Sequence, residues 1–140
     1  MRFWESSALV ALVVEQPATA RMRTLLEDDA DLAVWVLTDV EVRSAIERLA
    51  REGALSREGV EACLHKADLF WEQLRVIDLI GSVKQRAKRL LARHPLRAAD
   101  ALQLGAALLA SDDGPEGLEL VTLDSRLAEA ARREGFRVLP

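Results

Sequence analysis

The chain has 140 residues, half of them apolar and 30% charged, with a formal net charge of −4. These figures suit one globular domain that buries a core without cross-links, and they exclude a disordered tail and a protein that coats nucleic acid by bulk charge. The lone Cys63 excludes a disulfide framework or a cysteine-rich metal site within the chain.

Arg2 to Glu5 reads as a short strand, with Ser6-Ser7 capping a helix that runs to about Val14. Because acidic Glu5 interrupts the start and no cleavage motif follows, a secretory signal is not expected, and the expected location is the cytoplasm. No apolar run nears the ~20 residues of a membrane span, so no membrane association is expected. Pro17 suits the first turn of a second helix that ends at Glu27-Asp28-Asp29. Ala33 to Val36 is a continuous apolar run, the pattern of a strand covered on both faces.

From Thr38 the pattern becomes helical. Val42, Ala45, Ile46, Leu49 and Ala50 fall on one face, Arg43, Glu47, Arg48 and Arg51 on the other, and Gly53 ends the helix. Ser56 opens a helix to about Leu74, with Val60, Leu64, Ala67 and Trp71 at helical spacing. An apolar strip on it would suit a partner helix. Arg75 to Ile77 is a short strand, followed by a helix from about Ile80 to Arg93. Between Ser82 and Arg97 lie Lys84, Arg86, Lys88, Arg89, Arg93 and Arg97 with no acid among them, a basic face.

His94-Pro95 breaks that helix, and the next runs from Leu96 to Ala110. From Ala98 onward every position in it is Ala, Leu or Gly except Asp100 and Gln103, so it is expected to lie buried on nearly all sides. The two polar residues are three apart and share a side. Ser111 to Gly117 is a loop, Leu118 to Leu123 a strand, Asp124 the start of a helix to Glu134, and Arg137 to Leu139 the last strand. Strands separated by helices imply right-handed crossovers and a mainly parallel sheet, hence an α/β class with three layers, α/β/α, in one domain over residues 1–140.

In such a sheet, the carboxyl ends of strands and the first turns of the following helices converge on one crevice. Glu5, Glu41, Asp100 and Asp124 all occupy such positions. Each has a structural use as well: Glu5 could be an ordinary strand-end charge, Thr38-x-x-Glu41 is a capping-box pattern, Asp124 suits an N-cap, and Asp100 could pair with Arg97. Brought together they would repel one another unless a cation sat between them, and Mg²⁺ or Mn²⁺ is the matching ion for carboxylate oxygens. Such an ion activates water against a phosphodiester and steadies the leaving oxyanion. His65 and His94 are expected to be structural or surface residues.

Four segments carry a family resemblance: FWESSALVAL at the start, TDVEVRSAIERLAREG, LRAADALQLGAAL and LVTLDSRLAEAA. In this order and spacing the chain resembles, over essentially its whole length, a PIN-domain ribonuclease of the VapC type, the toxin of a toxin–antitoxin pair. The resemblance implies a PIN-like domain that cleaves RNA with Mg²⁺ or Mn²⁺ as a homodimer and is silenced by an antitoxin protein. It places Glu41, Asp100 and Asp124 on three of the family's metal-site acids, with Ser7 and Thr122 as supporting hydroxyls. Glu5 completes the expected ligand and catalytic set, Ser125 is a further supporting hydroxyl, and Arg43, Arg93 and Arg97 are the expected RNA contacts.

Two departures stand out. Where the family has a first Asp, this chain has Glu5, whose carboxylate reaches about 1.5 Å further by one carbon–carbon bond. Where the family often has His, it has Gln103. Since a misplacement of roughly 1 Å at a reacting centre costs on the order of a hundredfold in rate, a competing expectation is a catalytically impaired module that binds RNA or an antitoxin without cleaving. A DNA-directed nuclease is a third.

Overall fold

The computed structural model describes residues 1–140. Its order is β1 (Arg2–Trp4), α1 (Ser6–Val13), α2 (Thr19–Asp28), β2 (Leu32–Trp35), α3 (Thr38–Arg51), α4 (Arg57–Trp71), β3 (Arg75–Ile77), α5 (Ile80–Arg93), α6 (Ala98–Ala110), β4 (Glu119–Val121), α7 (Ser125–Arg133) and β5 (Arg137–Leu139). The strands form one sheet in the order β3-β2-β1-β4-β5, and every pairing is parallel. The three-layer α/β/α architecture expected from the apolar strand runs is therefore what the chain adopts.

Both faces of the sheet are apolar because successive strand residues point to opposite sides. Trp4, Val34 and Val121 face one core with α1 and parts of α2, α3 and α4. Phe3, Trp35 and Leu120 face the other with α5, α6 and α7. Trp4 and Trp35 are buried and Trp71 is half-buried.

Several local expectations are corrected. Glu5 caps α1, accepting the Ser7 amide at 3.0 Å, so Ser6 and Ser7 are helical residues and not the cap. The second helix begins at Thr19, two residues beyond Pro17, because the Thr19 hydroxyl donates to the Ala11 carbonyl and ties the intervening turn down. The Thr38–Glu41 capping box is absent: Leu37 occupies the cap position, and both side chains are held by Gln103. The long helix starts at Ala98, and its buried face is confined to Ala101 and residues 103–107; Asp100 is only partly covered at the mouth.

α5 and α6 approach closely at Gly105. A Cβ there would stand 3.0 Å from the Val83 carbonyl oxygen and 3.2 Å from the Ala87 amide nitrogen, both backbone atoms with no side-chain freedom to yield. Gly105→Val is expected to cost about 1–3 kcal/mol by overpacking, read as a lower urea midpoint.

Candidate active site

A crevice of about 390 Å³ opens where β1 and β4 end, lined by Glu5, Ser6, Ser7, Gln16, Glu41, Ser44, Arg48, Asp100 and Asp124 among others. All four acids expected at the strand ends reach it. Parallel topology accounts for this, since β1 and β4 are neighbours and their following segments emerge side by side.

Glu5 lies deepest, with only 5% of its surface exposed. Its Oε1 accepts the Ser6 hydroxyl at 2.5 Å, and its Oε2 accepts the Ser7 amide at 3.0 Å, the Ser7 hydroxyl, and the Thr122 hydroxyl at 2.8 Å. Those hydroxyls accept in turn from the next loop: Leu123 N–H donates to Ser7 Oγ at 2.9 Å, and Asp124 N–H to Thr122 Oγ1 at 3.0 Å. Glu5 is thus the hub that fastens the β4–α7 loop to the start of α1. Asp124 caps α7 through Oδ1, accepting the Leu127 amide at 2.8 Å, and lines the crevice as well.

Glu41 and Asp100 stand in the first turns of α3 and α6. Burial raises the Glu41 carboxyl above its ordinary range, the charges of Glu5 and Asp100 add to that, and Ser6 and Gln103 oppose it. Burial also raises Asp100, helped by the charge of Asp124 and opposed by the Arg97 amide and the charges of Arg97 and Arg126. At these two groups the metal-free folded chain holds more protons than the unfolded chain, whereas Asp29, Glu47 and Asp113, lowered by hydrogen bonds to cationic partners, hold fewer only at and below the ordinary carboxylate range. Above that range stability is therefore expected to fall as pH rises through the raised values. Urea unfolding across pH 4 to 8 in EDTA checks this, and bound cation should reverse it at the upper end.

No three of these side chains converge closely enough to hold an ion by direct bonds alone. The donor set still fits a hard divalent cation, because it is all oxygen, two of its acids are desolvated beside like charge, and Mg²⁺ keeps several waters while using one or two carboxylates.

The basic residues are distributed differently from expectation. α5 leaves the rim where β3 ends, and its 14 residues carry the chain about 21 Å. Arg93 consequently reaches Glu134 at 3.6 Å, beside a second cavity that it shares with Arg86, Arg89 and Asp113. Arg43 pairs with Glu47 at 3.0 Å and lines an apolar groove, not the crevice. Arg97 alone of the three adjoins an acid of the crevice, Asp100. Ser125 is exposed and bonds none of the acids. His94 is buried against Glu134 at 2.6 Å and His65 is exposed, as expected of residues outside the chemistry.

Sequence reasoning missed Ser6 and Arg48. Ser6 was legible as the neighbour of Glu5. Arg48 lies seven positions after Glu41, two turns along the same helix face, and supplies the crevice with a cation.

The PIN domain family model matches residues 3–133. The chain belongs to the PIN-domain family. This PIN domain is 32% identical over 139 residues to Ribonuclease VapC45 of Mycobacterium tuberculosis (strain CDC 1551 / Oshkosh), covering 99% of this chain and 94% of the relative. The same figures hold for Ribonuclease VapC49 of Mycobacterium tuberculosis (strain ATCC 25618 / H37Rv). Its fold matches a toxin–antitoxin complex from Klebsiella pneumoniae, with TM-score 0.69 and 17% identity over 100% of this chain and 97% of the other. FitAcB from Neisseria gonorrhoeae gives the same TM-score and coverage at 18% identity. No helix of the chain is long and apolar enough to cross a membrane.

Proposed function

We propose that this PIN domain is a metal-dependent endoribonuclease and the toxin of a toxin–antitoxin pair. The observation that carries the reading is the crevice itself, where four carboxylates from distant parts of the chain share one opening, in a chain with ribonuclease relatives. One or two of Glu41, Asp100 and Asp124 would ligate Mg²⁺ or Mn²⁺ directly and the rest through its waters, and Glu5, with its oxygens engaged by four donors, adds its charge from behind them. When bound there, the ion lowers the pKa of a coordinated water and offsets the charge of a phosphodiester. Arg48 and Arg97 contact backbone phosphates, which holds an RNA strand in register without selecting its sequence.

The groove of about 320 Å³ between α1, α3 and α4 is lined by Leu9, Val13, Val40, Leu64, Phe70 and Trp71 and suits the apolar side of an antitoxin helix. A second copy of the chain is the other proposed partner, read out by the mass in light scattering.

The deciding experiment incubates the protein with matched single-stranded RNA and DNA in Mn²⁺ and in EDTA. Cleavage of RNA in Mn²⁺ alone is expected. Cleavage of DNA in preference, or of RNA in EDTA, would overturn the assignment. Binding of RNA without cleavage would favour the impaired module, the reading that the Glu5 departure motivates.

A further inference from the structure

We infer that Gln103 is a positioning residue: its side-chain amide ties the first turn of α3 to the second turn of α6 and so sets how Glu41 is presented to a divalent cation beside Asp100. The inference rests on the metal-dependent reading above.

Gln103 is 1% exposed, and its Nε2 donates to Thr38 Oγ1 at 2.9 Å and to Glu41 Oε2 at 3.1 Å. Both amide hydrogens are thereby spent. Its Oε1 is buried and has no partner. Rotating the amide by half a turn would set that oxygen against the Glu41 carboxylate, so the stranded acceptor is the lesser cost of aiming two donors at α3. A site that needed only packing would be served by an aliphatic side chain of similar volume, with no polar atom left over.

The spacing supports the same role. Thr38 and Glu41 are three apart on α3, Asp100 and Gln103 three apart on α6, and each pair shares one face of its helix. The two hydrogen bonds therefore join the faces that carry the two acids. They also restrain a Glu side chain that would otherwise sample several rotamers, so the carboxylate is held in place before a cation arrives.

Mn²⁺ titration of the full chain, followed by the electron paramagnetic resonance of the free ion, tests the proposal alongside the thermal midpoint in EDTA. For Gln103→Leu the expected result is an affinity about 10–100-fold weaker, with a modest fall in midpoint that leaves the chain folded, because leucine removes the stranded acceptor but also the donor to Thr38 and Glu41. Gln103→His keeps one N–H and is expected to recover part of the affinity. In the parent protein the Gln103 side-chain amide hydrogens should exchange with solvent far more slowly than those of exposed Gln85.

Unchanged affinity in Gln103→Leu overturns the proposal while leaving the metal reading intact. So does a loss of affinity that histidine does not recover at a temperature where both variants remain folded, which marks a merely structural residue. Exchange at Gln103 as fast as at Gln85 overturns it even where Gln103→Leu does not fold. A parent chain that binds no Mn²⁺ removes the metal reading and this inference together.

Discussion

Asp100→Asn is expected to reduce Mn²⁺-dependent RNA cleavage by more than about a hundredfold, since removing only an outer partner of a metal ligand already costs about 10–100-fold. The substitution keeps the shape of the side chain and an oxygen that can still accept from the Arg97 amide, now 3.3 Å away. What it removes is the charge. That charge is unwelcome in the metal-free protein, because burial and Asp124 both disfavour it. The thermal midpoint in EDTA at neutral pH should accordingly rise as activity disappears, and Glu41→Gln should behave alike. Activity that survives Asp100→Asn would show that the crevice does not carry out the cleavage. A midpoint that falls with activity would show that Asp100 serves the fold and not the site.

Glu5→Leu has the largest expected effect on stability. The carboxylate accepts from the Ser7 amide and from the hydroxyls of Ser6, Ser7 and Thr122, and leucine accepts from none of them. Each buried donor left without a partner costs about 1–3 kcal/mol, and loss of the helix cap about 1 more. Because the hydroxyls can turn toward other acceptors, about 3 kcal/mol in total is the expected loss, measured by urea unfolding. The β4–α7 loop is anchored through the same hydroxyls, so Asp124 should become mobile on the nanosecond scale in nuclear relaxation. Glu5→Asp separates the two readings of the departure at this position. An active parent little changed by the substitution agrees with Glu5 as a hub. An inert parent that gains cleavage on shortening to Asp would make the chain an impaired module.

Architecture was legible because its signals are redundant. The apolar run at 33–36, the switch to helical spacing at Thr38 and the glycines after α3 and α7 each marked an element that the structure contains. The acids were legible for a topological reason, since strand ends in a parallel sheet share one rim whatever the side-chain details. Hydrogen-bond partners were not. Thr38 and Glu41 obey the spacing of a capping box, yet a residue 65 positions from Thr38 in the chain takes both, and no local pattern encodes so distant a competitor. Arg93 was misplaced for a similar reason. Proximity to Asp100 along the chain says little, because Arg93 stands at the far end of a helix of about 21 Å that leaves the rim, and residues 94–97 intervene before the next helix begins.

The union of β1 with β4 bears on when this protein becomes competent during its synthesis. Glu5 and Thr122, which meet at 2.8 Å, are 117 positions apart, and β1 has no partner on that side until β4 has been made. Contacts of such long separation form late and slowly. A nascent chain still short of its last helix carries Glu41 and Asp100 but lacks the loop that brings Asp124. The four-acid crevice is thereby completed only when nearly the whole polypeptide has been made.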